Sequence, residues 1–136
     1  MISIRIKQSE HKLREIGVSP SHSRMKIVSY LIGNKNHPTV DEIYSALKPS
    51  MPTLSKTTVY STVKLLVDKG FLLPLFIDEN EVRYDPDVSV HAHFKCRKCG
   101  DLHDVQASVQ KIYNKEGHLI ENTHIYFTGI CFHCKK

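Results

Sequence analysis

The chain of 136 residues has no run of eighteen consecutive apolar residues, so no part of it is expected to cross a bilayer as a helix. Its first residues, Met1-Ile-Ser-Ile-Arg-Ile-Lys7, alternate apolar and polar side chains and lack the apolar core and cleavage site of a secretory signal. No internal repeat or low-complexity tract is present. With 40% hydrophobic and 24% charged residues, the composition is that of a globular protein and excludes a disordered one. Together these absences predict a cytoplasmic protein that associates with no membrane, built as one ordinary domain or two small ones.

Acidic residues are scarce in the first half. Residues 1–77 carry 11 Lys/Arg against 5 Asp/Glu, 78–85 hold one arginine among four acids, and 86–136 hold 7 basic against 5 acidic residues. A basic first half suits a polyanionic partner, although an ordinary solvated surface accounts for the same charge.

The first half reads as short helices joined by turns. A helix over about Ser3–Ile16 stops at Gly17, and Ile27, Val28, Leu31 and Ile32 repeat at helical spacing before Gly33-Asn34. Thr39 and Glu42 have the spacing of a capping box, with Val40, Ile43, Tyr44 and Leu47 on one face behind them. After Pro49 and Pro52, Ser55 opens another helix whose apolar face is Val59, Val63, Leu66 and Val67, ending at Gly70. The opposite face presents Lys56, Thr57, Tyr60, Ser61 and Lys64. Phe71–Ile77 and Val82–Asp85 then read as two strands about an Asp78-Glu79-Asn80-Glu81 turn.

Helices followed by a β-hairpin are the order of a winged helix-turn-helix, in which the helix before the hairpin enters the DNA major groove. Tyr60 would offer a ring edge to thymine methyl groups, and Thr57, Ser61 and Lys64 would reach base edges or phosphate. An amphipathic helix with a merely hydrated polar face fits the same pattern. The chain changes character near Pro86–Ser89, which predicts a DNA-binding domain over 1–85 and a second domain over 86–136. The second domain is expected to contain strands at Val88–Cys96, Asp101–Val105 and Ile120–Ile130, with a helix over about Ala107–Glu116. The fold class expected is therefore α+β: an N-terminal winged helix-turn-helix domain and a small α/β domain.

Cys96-Arg-Lys-Cys99 and Cys131-Phe-His-Cys134 each place two sulfurs on one tight turn. Four thiolates from two such turns make the closed tetrahedral shell that structural Zn²⁺ prefers, and a reducing compartment favours metal over disulfides. A pair of disulfides or a redox dithiol are the competing readings, although a thioredoxin-type site needs only one such pair, at a helix N-terminus.

Nine histidines are many for this length. His91 and His93 alternate with Val90, Ala92 and Phe94, so on a strand both rings leave one face. Asp85 lies just upstream, Asp104 on the strand after the first cysteine turn, and His37 in the loop before the third helix. Such imidazoles with carboxylates suit Fe²⁺, Mn²⁺ or Zn²⁺. Spacing alone joins only His91 and His93; each histidine is otherwise an ordinary surface or hydrogen-bonded residue. Two histidines and a carboxylate also form the triad of Fe²⁺ oxygenases, but no co-substrate motif accompanies them, and no enzyme is expected.

Several segments taken together resemble the ferric uptake regulator family over nearly the whole chain: His37-Pro-Thr-Val-Asp-Glu-Ile-Tyr44, Ser55-Lys-Thr-Thr-Val-Tyr60, His91-x-His93-x-x-Cys96-x-x-Cys99-Gly100 and Gly129-x-Cys131-x-x-Cys134. The resemblance implies a homodimeric, metal-dependent repressor of double-stranded DNA operators, with a dimerisation domain behind the winged helix. It implies that His37, Asp85, His91, His93 and Asp104 form one regulatory site for Fe²⁺ or Mn²⁺, and that Arg24 and Lys56 join the DNA contacts. The two aspartates look like those of the peroxide-responsive members, where iron-sensing relatives tend to carry glutamate. In that subgroup the oxidised ligands match His37 and His91, and hydrogen peroxide is the signal, not a substrate. The alternative is an iron- or zinc-responsive regulator of metal uptake.

Three departures stand out. Val90 and Ala92 occupy positions that supply a further metal site in many members, so that site is expected to be absent. The family's Thr-Pro-Gln-Arg turn is Ser21-His22-Ser23-Arg24 here, and Ser61 stands where relatives often have Asn or Arg.

Overall fold

The computed structural model describes every residue except 1, 35, 79, 90, 109 and 110. The chain divides into two compact units, Met1–Val88 and Ser89–Lys136, each with its own sheet. The first holds helices α1 (Ile2–Glu15), α2 (His22–Gly33), α3 (Val40–Leu47) and α4 (Lys56–Asp68), then strands β1 (Leu73–Leu75) and β2 (Arg83–Asp85).

Short polar side chains start three of these helices. The Ser21, Thr39 and Ser55 hydroxyls accept hydrogen bonds from the backbone N–H groups of Arg24, Glu42 and Thr58, at 3.2, 3.1 and 3.1 Å. Each satisfies a donor that the helix cannot satisfy itself. Glycines end α1 and α4. Gly17 and Gly70 both adopt φ of 78°, which lets Val18 N–H reach the Leu13 carbonyl at 2.8 Å and Phe71 N–H the Leu66 carbonyl at 2.9 Å.

Leu13, Ile27, Val28, Leu31, Ile43, Val59, Val63 and Leu66 are completely buried and form the core of this unit. Thr62 joins the buried face of α4, while Val67 is only half-buried. The strands pair antiparallel, with Leu73 opposite Asp85 and Leu75 opposite Arg83. They are shorter than expected, and Pro74 inside β1 lacks the N–H a longer ladder needs. Part of the expected turn between them, Glu79, lies outside the described residues. Thr39 forms an antiparallel bridge to Arg83, and Tyr84 N–H donates to the Pro38 carbonyl at 3.0 Å, so the loop before α3 is laced to β2.

The second unit is a three-stranded sheet in the order β4-β3-β5, made of β3 (Ala92–Cys96), β4 (Leu102–Val105) and β5 (Ile125–Gly129). β4 pairs antiparallel with β3, and β5 pairs parallel with it, Cys96 lying opposite Gly129. A parallel neighbour requires a crossover, for which a helix is the usual connection. The helix expected over Ala107–Glu116 does not form at its described residues; Val109 and Gln110 lie outside them.

Two causes are visible. Ile112 and Tyr113 are 55% and 84% exposed, so these two residues of the expected apolar stripe are not packed against the described residues. An isolated helix of that length is marginal in water. Asn114 then competes for the backbone: its side-chain oxygen accepts from His118 N–H at 3.0 Å, and its amide donates to the His118 carbonyl at 2.6 Å. The second unit is therefore mainly β in the described residues.

Leu31→Ala should destabilise the first unit by about 2–5 kcal/mol, because the cavity it leaves is enclosed. All four helices of the described residues lie in that unit, so urea unfolding followed by far-ultraviolet circular dichroism reads the effect. A loss below about 1 kcal/mol would contradict this packing.

Candidate metal centres and the nucleic-acid face

The parallel pairing of β3 with β5 sends both strands out of the sheet at the same end, and each runs into a cysteine turn there. Cys96 closes β3, and Cys131 follows β5 by two residues. The four sulfurs of Cys96, Cys99, Cys131 and Cys134 lie within 4.8 Å of one another, and all four are free thiols. Cys99 Sγ and Cys131 Sγ are 3.8 Å apart. A tetrahedral Zn²⁺ shell with bonds of about 2.3 Å has edges of about 3.8 Å, whereas a disulfide needs about 2.0 Å. The donor set fits a closed tetrahedral ion.

Cys96 is the electrostatic centre of this group. Its buried sulfur accepts N–H groups from Cys99 at 3.4 Å and Cys131 at 3.3 Å. Those donors, the Cys99 N–H first, lower its pKa from 9.0 to about 5. Cys134 moves the opposite way, pushed up to about 12, chiefly by its hydrogen bond with the Cys131 side chain.

In the first unit, the buried His37 imidazole faces the buried Asp85 carboxylate, with Nε2 and Oδ2 3.2 Å apart. The other Asp85 oxygen accepts the Asp87 N–H at 2.9 Å. A buried carboxylate is tolerated only with such partners. In the second unit, Asp104 lies directly opposite His93 in the β3–β4 register. Its Oδ1 is 3.4 Å from His91 Nε2 and 3.5 Å from His93 Nε2, and the two rings lie 4.4 Å apart between centroids.

His91 Nδ1 lies 2.9 Å from the Ser89 carbonyl oxygen, which can only accept. Nδ1 therefore carries a proton, and Nε2 is the nitrogen left to meet Asp104. A neutral ring then turns a lone pair toward a carboxylate, so the arrangement calls for a positive charge, as a proton or a metal ion. Donating the second ring nitrogen to a backbone carbonyl is also how metal-binding histidines are commonly oriented. Thus His37 meets Asp85 within the first unit, and His91 and His93 meet Asp104 within the second.

On α4, Lys56, Thr57, Tyr60, Ser61 and Lys64 are all exposed, opposite the buried Val59, Val63 and Leu66. Tyr60 is 57% accessible although apolar residues elsewhere on the helix are covered. Lys56 pairs with Asp41 at 3.2 Å, and Ser61 Oγ donates to the Thr58 carbonyl at 3.2 Å. Arg24 donates to the Ser19 carbonyl at 2.9 Å. Ser89 and Arg83 were not among the residues expected at the site. Ser89 acts through its backbone and leaves no side-chain signal. Arg83 could have been noticed as the one cation in the acidic stretch 78–85.

Helices leading into a hairpin, with two kinds of metal-donor set in the same chain, are the architecture of a metal-responsive regulator of transcription, a binding protein and not an enzyme. The model of the ferric uptake regulator family matches residues 15–128, and the chain belongs to that family. The peroxide-responsive repressor PerR of Staphylococcus epidermidis is 32% identical over 136 residues, 96% of this chain and 91% of the relative. PerR of Staphylococcus aureus is also 32% identical, over 146 residues covering 98% and 99%.

Among solved structures, PerR from Streptococcus pyogenes superposes with a TM-score of 0.54 at 29% identity, covering 96% of this chain and 92% of that one. The Helicobacter pylori ferric uptake regulator Fur superposes with a TM-score of 0.70 at 18% identity, covering 100% and 95%, and speaks for the fold alone. Among the described residues, no helix is long and apolar enough to cross a membrane.

In the reduced, metal-free protein, the ultraviolet absorbance of the Cys96 thiolate should persist at neutral pH and vanish as pH falls through about 5. Cys96→Ser should remove it. Because the folded pKa lies below the unfolded value of 9.0, ionised Cys96 stabilises the second unit fully above that value, and the contribution fades as pH drops toward 5. Equal absorbance in wild type and Cys96→Ser at neutral pH would overturn the assignment.

Proposed function

We propose that this protein is a metal-dependent, DNA-binding repressor that senses hydrogen peroxide through iron-catalysed oxidation of a histidine ligand. The observation that carries the reading is that each unit holds its own imidazole–carboxylate group: His37 with Asp85 in the first, His91 and His93 with Asp104 in the second. Both carboxylates are aspartates, and similarity at 32% identity to repressors named for their response to peroxide supports the same choice.

The four-cysteine cluster takes Zn²⁺ and ties the end of β3 to the end of β5, adding the metal's binding energy to the stability of the second unit. The five imidazole and carboxylate ligands take Fe²⁺ or Mn²⁺, which prefer nitrogen and oxygen donors to thiolates. When bound, Fe²⁺ would supply the one electron that cleaves peroxide into hydroxide and a hydroxyl radical, and Mn²⁺ would not supply that electron. The radical's oxygen would end on a ring carbon of His37 or His91, which would lose a proton and return one electron to the iron. Oxidation of either ring weakens its nitrogen donor.

His37 and Asp85 belong to the DNA-binding unit, and the remaining ligands to the dimerisation unit. One ion held by all five would fix the relation of recognition helix α4 to the partner's copy. Two such helices enter successive major grooves only at a separation of about 34–36 Å. Moving a population from mostly open to mostly closed takes roughly 5 kcal/mol of differential affinity. Lost donor strength at His37 or His91 therefore opens the clamp and releases DNA.

The exposed face of α4 and Arg24 meet the operator, Lys56 and Lys64 by charge and Tyr60 by its ring. Exposed Ile112, Tyr113, Leu119 and Phe127 in the second unit supply apolar area for a homodimer. The four thiols are suited to the reducing cytoplasm.

His37→Ala should abolish metal-activated operator binding while leaving one zinc per chain and the circular dichroism spectrum unchanged. Gel-shift titrations with and without Mn²⁺ measure this, and unchanged metal activation in the mutant would sink the clamp. A second measurement separates peroxide sensing from metal-uptake control. Zinc-containing protein is loaded anaerobically with Fe²⁺, treated with dilute peroxide and mapped by peptide mass spectrometry. One added oxygen on peptides containing His37 or His91, absent with Mn²⁺, is the expected result. Its absence, with metal-dependent DNA binding preserved, would instead identify a regulator of metal uptake.

A further inference from the structure

Among the described residues, His37 is the one non-glycine residue with a positive φ, at 57°. A side chain bearing a Cβ disfavours that conformation, which persists only where its surroundings over-determine it. Here the surroundings are supplied by β2. Asp85 Oδ2 lies 3.2 Å from the His37 ring nitrogen Nε2. Arg83, two residues earlier and therefore on the same face of the strand, donates through Nη1 to the His37 carbonyl at 3.2 Å. The imidazole is thus gripped by Asp85 and its backbone by Arg83.

Arg83 is itself anchored. Its Nε donates to Asp78 Oδ2 at 2.6 Å, its Nη1 is 3.6 Å from Glu42 Oε1 in the first turn of α3, and its side chain is only 20% exposed. The guanidinium is a rigid planar fork, so fixing Nε on Asp78 also fixes where Nη1 points. A lysine ammonium, with one nitrogen, cannot hold these separated acceptors in the same way.

We infer that Arg83 is a positioning residue for the regulatory metal: anchored on Asp78 and Glu42, it holds the left-handed turn that presents the His37 imidazole to a divalent cation. It touches no metal and acts only through His37. The inference rests on the reading of His37 as a ligand.

The test measures Mn²⁺ affinity of the zinc-containing full-length chain by electron paramagnetic resonance of the free ion. Arg83→Met should weaken Mn²⁺ roughly 10-fold or more, within the range typical of residues that orient a ligand. Arg83→Lys should recover part of the loss, and Glu42→Gln and Asp78→Asn should each give a smaller loss in the same direction. Those two variants each remove one anchor while keeping Arg83 in place, and so keep the question answerable if Arg83→Met fails to fold. Leu31→Ala, which loosens the same unit in its core, should keep wild-type Mn²⁺ affinity.

Affinities within about twofold of wild type for Arg83→Met and both anchor variants, with His37→Ala strongly weakened, would overturn the inference and leave His37 as a ligand. An equal loss in Leu31→Ala would overturn it too, because the effect would then be general loosening. Wild-type affinity in His37→Ala would remove the ligand reading, and this inference with it.

Discussion

Strand β3 is held from both sides, and the register of those two pairings aligns His93 with Asp104 and brings the two cysteine turns to one end of the sheet. Antiparallel pairing sets Asp104 opposite His93, and parallel pairing sets Gly129 opposite Cys96. A slip of one residue against β4 would turn Asp104 to the other face of the sheet, away from both imidazoles. The same slip against β5 would carry Cys131 away from the buried Cys96 sulfur that its N–H now contacts at 3.3 Å. Zinc across the two turns and the ladder between the strands would therefore stabilise one another. The metal fixes the ends that the ladder aligns.

The two donor sets divide the metals by chemistry. Four sulfurs, one already drawn toward the thiolate form by backbone N–H groups, offer a soft, closed shell. Imidazoles and aspartates offer a harder one, which suits ions that exchange and can react with peroxide. The contrast is strengthened by how each set is supported. The cysteines depend on tight turns, whereas His37 depends on a strand two of whose side chains grip it at different points.

Much of this was legible in the sequence because it is local. Ser55 as a cap, the Cys-x-x-Cys turns and the exposed stripe Lys56, Thr57, Tyr60, Ser61 and Lys64 each follow from spacing within a few residues. The alternation of His91 and His93 was legible for the same reason. The expected helix over 107–116 is not formed at its described residues, where Ile112 and Tyr113 stay exposed, and periodicity cannot supply the partner they need. The parallel pairing of β3 with β5 was also hidden, since it joins residues more than thirty apart. Arg83 was hidden by its role: its partners are a carbonyl and two acids brought together by the fold, while in sequence it looks like a lone charge.

Neither imidazole–carboxylate set fills a coordination shell by itself. His37 with Asp85 offers two ligands, and His91, His93 and Asp104 offer three. On the proposed reading this incompleteness is what makes regulation possible. Had one unit held a complete site, an ion would bind equally well in every arrangement of the two and shift none of them. On that reading, a site completed only by both units would tie affinity for the ion to their arrangement, and loss of one imidazole by oxidation would weaken both together. A held His37 turn would matter for the same reason, because a ligand free to wander would follow the ion and transmit little of its binding energy to the helix behind it.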